Sequence, residues 1–79
     1  MRFVKDRVIK VVAQVLGVPV ETVDSDSSPD SLPAWDSLKH MNLVLTLEEE
    51  FGVQFTDIQV LEMLNVGLIV TIVTEAVAA

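Results

Sequence analysis

An aspartate, a serine and the only histidine of the chain fall within one short run, Asp36-Ser37-Leu38-Lys39-His40. These are residue types from which acyl or phosphoryl chemistry is built. If the run opens a helix, Ser37 and His40 can share a face. In one reading Ser37 is a nucleophile with His40 as its base. That requires a third group to orient the base and an oxyanion hole inside a shaped pocket. A chain of 79 residues has room for one core and no deep cleft, and Asp36 is better placed to cap the helix. In the other reading Ser37 accepts a phosphate. At a helix N-terminus the unpaired N–H groups and the positive end of the dipole favour an anion on that hydroxyl. The second reading is preferred: no catalytic residue is assigned, and the chain is read as a non-enzyme.

No metal site is assigned either. Asp24-x-Asp26-x-Ser28 imitates the start of a calcium loop, but Pro29 stands where its sharp turn needs Gly and Trp35 where a bidentate Glu is needed. There is no Cys, so disulfides and thiolate sites are absent.

The helix that must position Ser37 runs on to Phe51, where Gly52 is the expected stop. At 100° per residue, His40, Leu43, Val44, Leu47 and Phe51 fall in one arc, and Leu38, Met41 and Leu45 in a second arc beside it. A helix that only covers a core needs a narrower stripe, so the second arc is offered to a partner or covered by another segment. His40 is expected to face inward, bonded to the preceding loop; the alternative is contact with a phosphate on Ser37.

Before that helix, Phe3 to Leu16 carries apolar residues at helical spacing, closed by Gly17 with Pro19 beyond. Its many valines lower intrinsic propensity, so packing must hold it. Between Gly17 and Asp36 lie all three prolines and several acids: a long loop with a short turn at 19–23, a solvated stretch at 24–30, and anchors at Val18, Val20, Val23, Leu32 and Trp35. After it, Thr56-Asp57-Ile58-Gln59 has the pattern of a capping box, predicting a short helix from about Asp57 to Met63. Asn65 is the expected cap of a last helix, about Val66 to Val77. That segment is β-branched enough to suggest a strand, but no second strand-like run is available to pair with it. The fold class is therefore all-α: a small antiparallel bundle of three main helices plus one short helix, with a long loop between the first and second helices, residues 1–79 forming one domain.

Five Lys plus Arg against 12 Asp plus Glu give a net charge of −7. That disfavours nucleic acid and anionic membranes and points to basic partner surfaces. Charges at Arg2, Lys5, Asp6, Arg7 and Lys10 interrupt the N-terminal apolar pattern, so no secretory leader is expected. The apolar run 66–73 is far short of the roughly 20 residues that span a bilayer. A monomer in the cytoplasm, without membrane insertion, is the expectation.

Asp36-Ser37-Leu38, an aliphatic-rich helix and then Glu48-Glu49-Glu50-Phe51-Gly52-Val53 resemble the acyl carrier protein family. The resemblance implies that Ser37 bears 4′-phosphopantetheine, attached from coenzyme A by a phosphopantetheinyl transferase, and that acyl groups ride on its thiol. It also implies that the second helix docks on basic patches of acyl-loading, condensing or acyl-transferring enzymes. Asp36, Leu38, Met41, Leu45, Glu48 and Glu49 are the residues expected to meet them. The apolar excess of the second and third helices suggests a shelter for the acyl chain, lined by Val44, Leu47, Phe55, Val60, Met63 and Ile69. Two departures from the fatty-acid carriers matter: Pro33-Ala34-Trp35 replaces the usual Leu-Gly approach, and Lys39, His40 and Asn42 stand where further acids are common. These fit a dedicated carrier in a specialised pathway, such as polyketide or modified fatty acid biosynthesis. The alternatives are an aminoacyl or peptidyl carrier, or an unmodified acidic interaction module.

Overall fold

The first helix, α1 (Arg2–Leu16), buries Val8, Val11, Val12, Ala13 and Leu16, so the β-branched residues that weaken it as an isolated helix supply its packing. It ends at Gly17, in the left-handed region at φ 71°. The Gly17 and Val18 N–H groups both return to the Ala13 carbonyl. The computed structural model describes residues 2–78. Among them it contains four α-helices, α1, α2 (Ser37–Phe51), α3 (Asp57–Glu62) and α4 (Val66–Ala78), with a 3-10 turn at Val20–Thr22 and no strand. The all-α bundle is thus the observed fold. Helix α1 is its spine, packed against both α2 and α4, while α3 leans on α4.

The helix ends follow local chemistry. Gly52, at φ 65°, closes α2 as Gly17 closes α1, with its own N–H and that of Val53 on the Glu48 carbonyl. The full capping box starts α3: Gln59 N–H donates to Thr56 Oγ1 at 3.1 Å and Thr56 N–H to Gln59 Oε1 at 2.9 Å. This helix ends one residue earlier than the sequence predicts, because Met63 leaves helical geometry and turns into the core, where it is 1% exposed. Asn65 caps α4 by accepting the Leu68 N–H at 2.8 Å, and the β-branched run is helical.

The long loop differs from expectation in two places. Val23 and Trp35 are buried and Val18 and Leu32 pack against the core, but Val20 is 42% exposed, since the 3-10 turn rolls it outward. The stretch 24–30 is not simply solvated. Ser27 is buried, its hydroxyl accepts the Asp24 N–H at 2.9 Å, and the Ser27 and Ser25 carbonyls accept the N–H groups of Val66 and Gly67, each at 2.9 Å. The cause lies in α4, whose first-turn N–H groups need acceptors that Asn65 alone does not supply. Gly67 makes the approach possible: a Cβ there would stand 3.2 Å from the Ser25 oxygen.

Candidate functional site

Ser37 is the first residue of α2 and is exposed to solvent. Asp36 adopts extended geometry before it, accepts the Lys39 N–H on Oδ1 at 2.8 Å and gives its carbonyl to the His40 N–H. The cap thus takes one first-turn donor and leaves the N–H groups of Ser37 and Leu38 without a protein acceptor among the described residues. The Ser37 hydroxyl makes no hydrogen bond there either. A phosphodiester on this oxygen would meet unspent backbone donors, the positive end of the α2 dipole and open solvent.

Beside it lies an open cleft of about 780 Å³, running from Ser37, His40 and Met41 to Val60, Leu61 and Leu64 and walled on its third side by residues 28–30 of the loop. It offers a mainly apolar surface next to the hydroxyl, the kind of surface a flexible arm with an apolar cargo can lie against. Of the residues expected to shelter an acyl chain, the structure brings Val60 and Met63 to this cleft. Val44, Leu47 and Ile69 are buried in the core, and Phe55 packs against its edge. Helical periodicity marks a position as inward without saying whether a neighbour fills the space it faces, and in this structure neighbouring core side chains do.

Leu38, Met41 and Leu45 are 70%, 51% and 57% exposed. Among the described residues, the second arc of α2 is therefore uncovered. The acids behind it are used unequally. Glu48 is partly buried and its carboxylate accepts the Phe55 N–H at 2.9 Å, which ties down the link between α2 and α3. Glu50 pairs with Arg7. Glu49 alone of the three is exposed with no ion pair or side-chain hydrogen bond among the described residues.

His40 faces inward and reaches the preceding loop, bonded to the Trp35 ring. Sequence reasoning did not foresee its second bond, to the Val60 carbonyl, nor the exposure of Ile58 and Leu61 along α3 and of Leu64 just after it. Alternate apolar and polar positions in so short a helix leave its buried side ambiguous.

Comparison with known proteins agrees with this arrangement. A family model described as phosphopantetheine attachment site matches residues 6–73. Acyl carrier proteins of Rhodopseudomonas palustris (strain TIE-1) and Nitrobacter winogradskyi are 44% identical over 68 residues, covering 85% of this chain and 85% of theirs. The acyl carrier protein of Bradyrhizobium sp. (strain ORS 278) is 43% identical over the same span. Among solved structures, the holo acyl carrier protein of Geobacter metallireducens superposes with a TM-score of 0.84 at 28% identity, covering 94% of this chain and 85% of that one. With a helix-initiating Asp-Ser-Leu on an all-α bundle and these matches over most of its length, the chain belongs to the acyl carrier protein family, non-catalytic carriers with covalently attached 4′-phosphopantetheine.

Proposed function

We propose that this chain carries acyl intermediates on 4′-phosphopantetheine attached through Ser37, as a dedicated carrier for a specialised pathway of the polyketide or modified fatty acid kind. We place it in the cytoplasm as a one-domain monomer. The observation that carries the reading is the Ser37 hydroxyl itself, exposed and unbonded at the first position of α2, with free N–H groups around it and the apolar cleft at its side. When bound, the arm supplies a thiol that holds the acyl group as a thioester; the chain has no cysteine of its own.

The chain's residues orient and present. Asp36 fixes the turn that aims the Ser37 oxygen outward. Leu38, Met41 and Leu45 give partners an apolar strip, and Glu49, with Asp36, gives basic patches an anionic one. Lys39 and Asn42 at the front of α2, and the internal use of Glu48, leave this face less acidic near the serine than its net charge suggests. That difference supports a restricted set of partner enzymes over general service in fatty acid synthesis. Val60 and Met63, on the α3 side of the cleft, are the residues available to shelter cargo.

The test is incubation with a broad-specificity phosphopantetheinyl transferase, coenzyme A and Mg²⁺, read by intact mass. One phosphopantetheine increment on the wild type and none on Ser37→Ala is the expected result. An unmodified wild type, or an increment retained by Ser37→Ala, refutes it. Loading the modified protein from acyl and aminoacyl donors in parallel then separates an acyl carrier from an aminoacyl or peptidyl one.

A further inference from the structure

Trp35 and His40 flank Ser37 in sequence, and the structure employs both nitrogens of the imidazole. Trp35 Nε1–H donates to His40 Nδ1 at 3.0 Å, the rings lying 21° from parallel with centroids 6.1 Å apart. An indole nitrogen only donates, so Nδ1 carries no proton and the neutral ring holds its hydrogen on Nε2. That nitrogen lies 3.1 Å from the Val60 carbonyl oxygen and donates to it. One side chain thus ties the loop ahead of Ser37 to α3, across the cleft.

Apart from Val60, which packs against the core, and the contact with α4, little else holds α3. None of its residues is buried, and Ile58 and Leu61 are 69% and 76% exposed. Among the described residues, the His40 bond is the one hydrogen bond α3 receives from another element. Short elements with few buried contacts occupy the low-stability end of a fold, where one bond shifts the open population measurably.

We propose that His40 is a positioning residue, a latch that holds the walls of the Ser37 cleft together while its ring is neutral and lets them part when the ring is protonated. An imidazolium carries N–H groups on both nitrogens. The added proton would face Trp35 Nε1–H across 3.0 Å, donor against donor. Trp35 is 2% exposed, so its N–H has no water to turn to, and one ring must leave its place. The other ionisable groups around His40 are Lys39 beside it, Asp36 one turn earlier with Oδ1 engaged by the Lys39 N–H, and Asp30 on the loop wall. Helix α3 and the residues after it line the cleft with Val60, Leu61, Met63 and Leu64, none of which titrates. The functional consequence, a wider approach to the attachment oxygen, rests on the reading of Ser37 given above. The latch itself is a property of the unmodified chain.

The experiment therefore uses unmodified protein at roughly pH 8 and pH 5.5, bracketing the range where imidazoles change charge. Three signals are followed: the Trp35 indole N–H resonance, the His40 ring nitrogens, and amide exchange of α3 relative to α1 after correction for intrinsic rates. At the higher pH the His40 hydrogen is expected on Nε2. At the lower pH the indole resonance should shift, and α3 amides should exchange roughly five- to tenfold faster relative to α1, the loss of about one hydrogen bond. His40→Phe should show fast α3 exchange at both pH values and no step. Trp35→Phe, which removes the opposing donor, should keep the Val60 bond and lose the pH response. A hydrogen on Nδ1, a wild type without the step, or the same step in His40→Phe overturns the proposal, the last by assigning the response to a carboxylate such as Asp30, Asp36 or Glu48. Failure of the Ser37 reading would show separately, in the mass increment.

Discussion

Replacing Arg7 by Ala is expected to lower stability by about 2 kcal/mol, more than a surface ion pair usually contributes. Three contacts converge on this side chain. Its Nε donates to Glu50 Oε2 at 3.0 Å, a pair whose side chains are 47% and 41% exposed, so solvent screening holds that part to about 0.2–1 kcal/mol. Its Nη2 donates to the Glu50 carbonyl at 2.9 Å. That oxygen lies in the last turn of α2, where carbonyls lack partners within the helix, and the bond is worth about 1 kcal/mol. The guanidinium also sits 4.3 Å from the centroid of the Phe51 ring, contributing about 0.5–1 kcal/mol. For a chain of this size a loss of 1 kcal/mol lowers Tm by about 4–8 °C, so Arg7→Ala should melt roughly 8–15 °C below wild type. Arg7→Lys keeps the charge but loses the fork and should forfeit more than half of the same amount. Glu50→Gln loses the charge alone and should cost under about 1 kcal/mol. Thermal and urea denaturation of the three variants, at low and high salt, provide the comparison. The reasoning fails if Glu50→Gln costs as much as Arg7→Ala, or if Arg7→Ala costs less than about 0.5 kcal/mol, for then the carbonyl and ring contacts contribute nothing.

Asp36→Ala should destabilise by about 0.5–2 kcal/mol in a urea titration, since the Lys39 N–H loses its acceptor, while Asp36→Asn should recover most of the loss. Ser27→Ala strands the Asp24 N–H at a partly buried turn and should cost about 1 kcal/mol by the same measurement. Gly67→Ala should be neutral to destabilising in a thermal melt despite the gain of about 1 kcal/mol in helix propensity, because the Ser25 oxygen 3.2 Å from the new Cβ is a hydrogen-bonded backbone atom. Leu38→Ala, at a position 70% exposed, should leave stability within about 0.5 kcal/mol of wild type. It should nevertheless raise KM for the phosphopantetheinyl transferase several-fold, and an unchanged KM would remove Leu38 from the docking strip.

What could be read from the sequence was what depends on neighbours a few residues away. Asp36 before Ser37, Thr56 with Gln59, Asn65, and the glycines at 17 and 52 declare helix ends through bonds that close within one turn. The bounds of α3 and α4 consequently match to within a residue. Helix α4, rich in Val and Ile, was settled by topology, since a strand would have had no partner. The site divides along the same line. Ser37 at the helix start and the separate arc of Leu38, Met41 and Leu45 follow from the phase of α2, but phase left open whether another segment covers that arc. The partners of Arg7, Glu48 and Ser27 do not, nor does the second partner of His40, because each is chosen by how the elements meet. Periodicity likewise assigned Val44, Leu47 and Ile69 a direction without telling a filled interior from a cargo wall.

The seam between the serine-rich loop and the start of α4 has a bearing on when the protein becomes usable. The Ser25 and Ser27 carbonyls find their donors at Val66 and Gly67, about forty residues further along the chain, so these contacts are late arrivals in synthesis as well as distant in sequence. Until α4 has emerged and docked, the strap leading into Ser37 lacks these two moorings and is held by other anchors such as the Trp35 bond to His40. An enzyme that recognises the finished contour of that strap would therefore favour chains in which α4 is already in place.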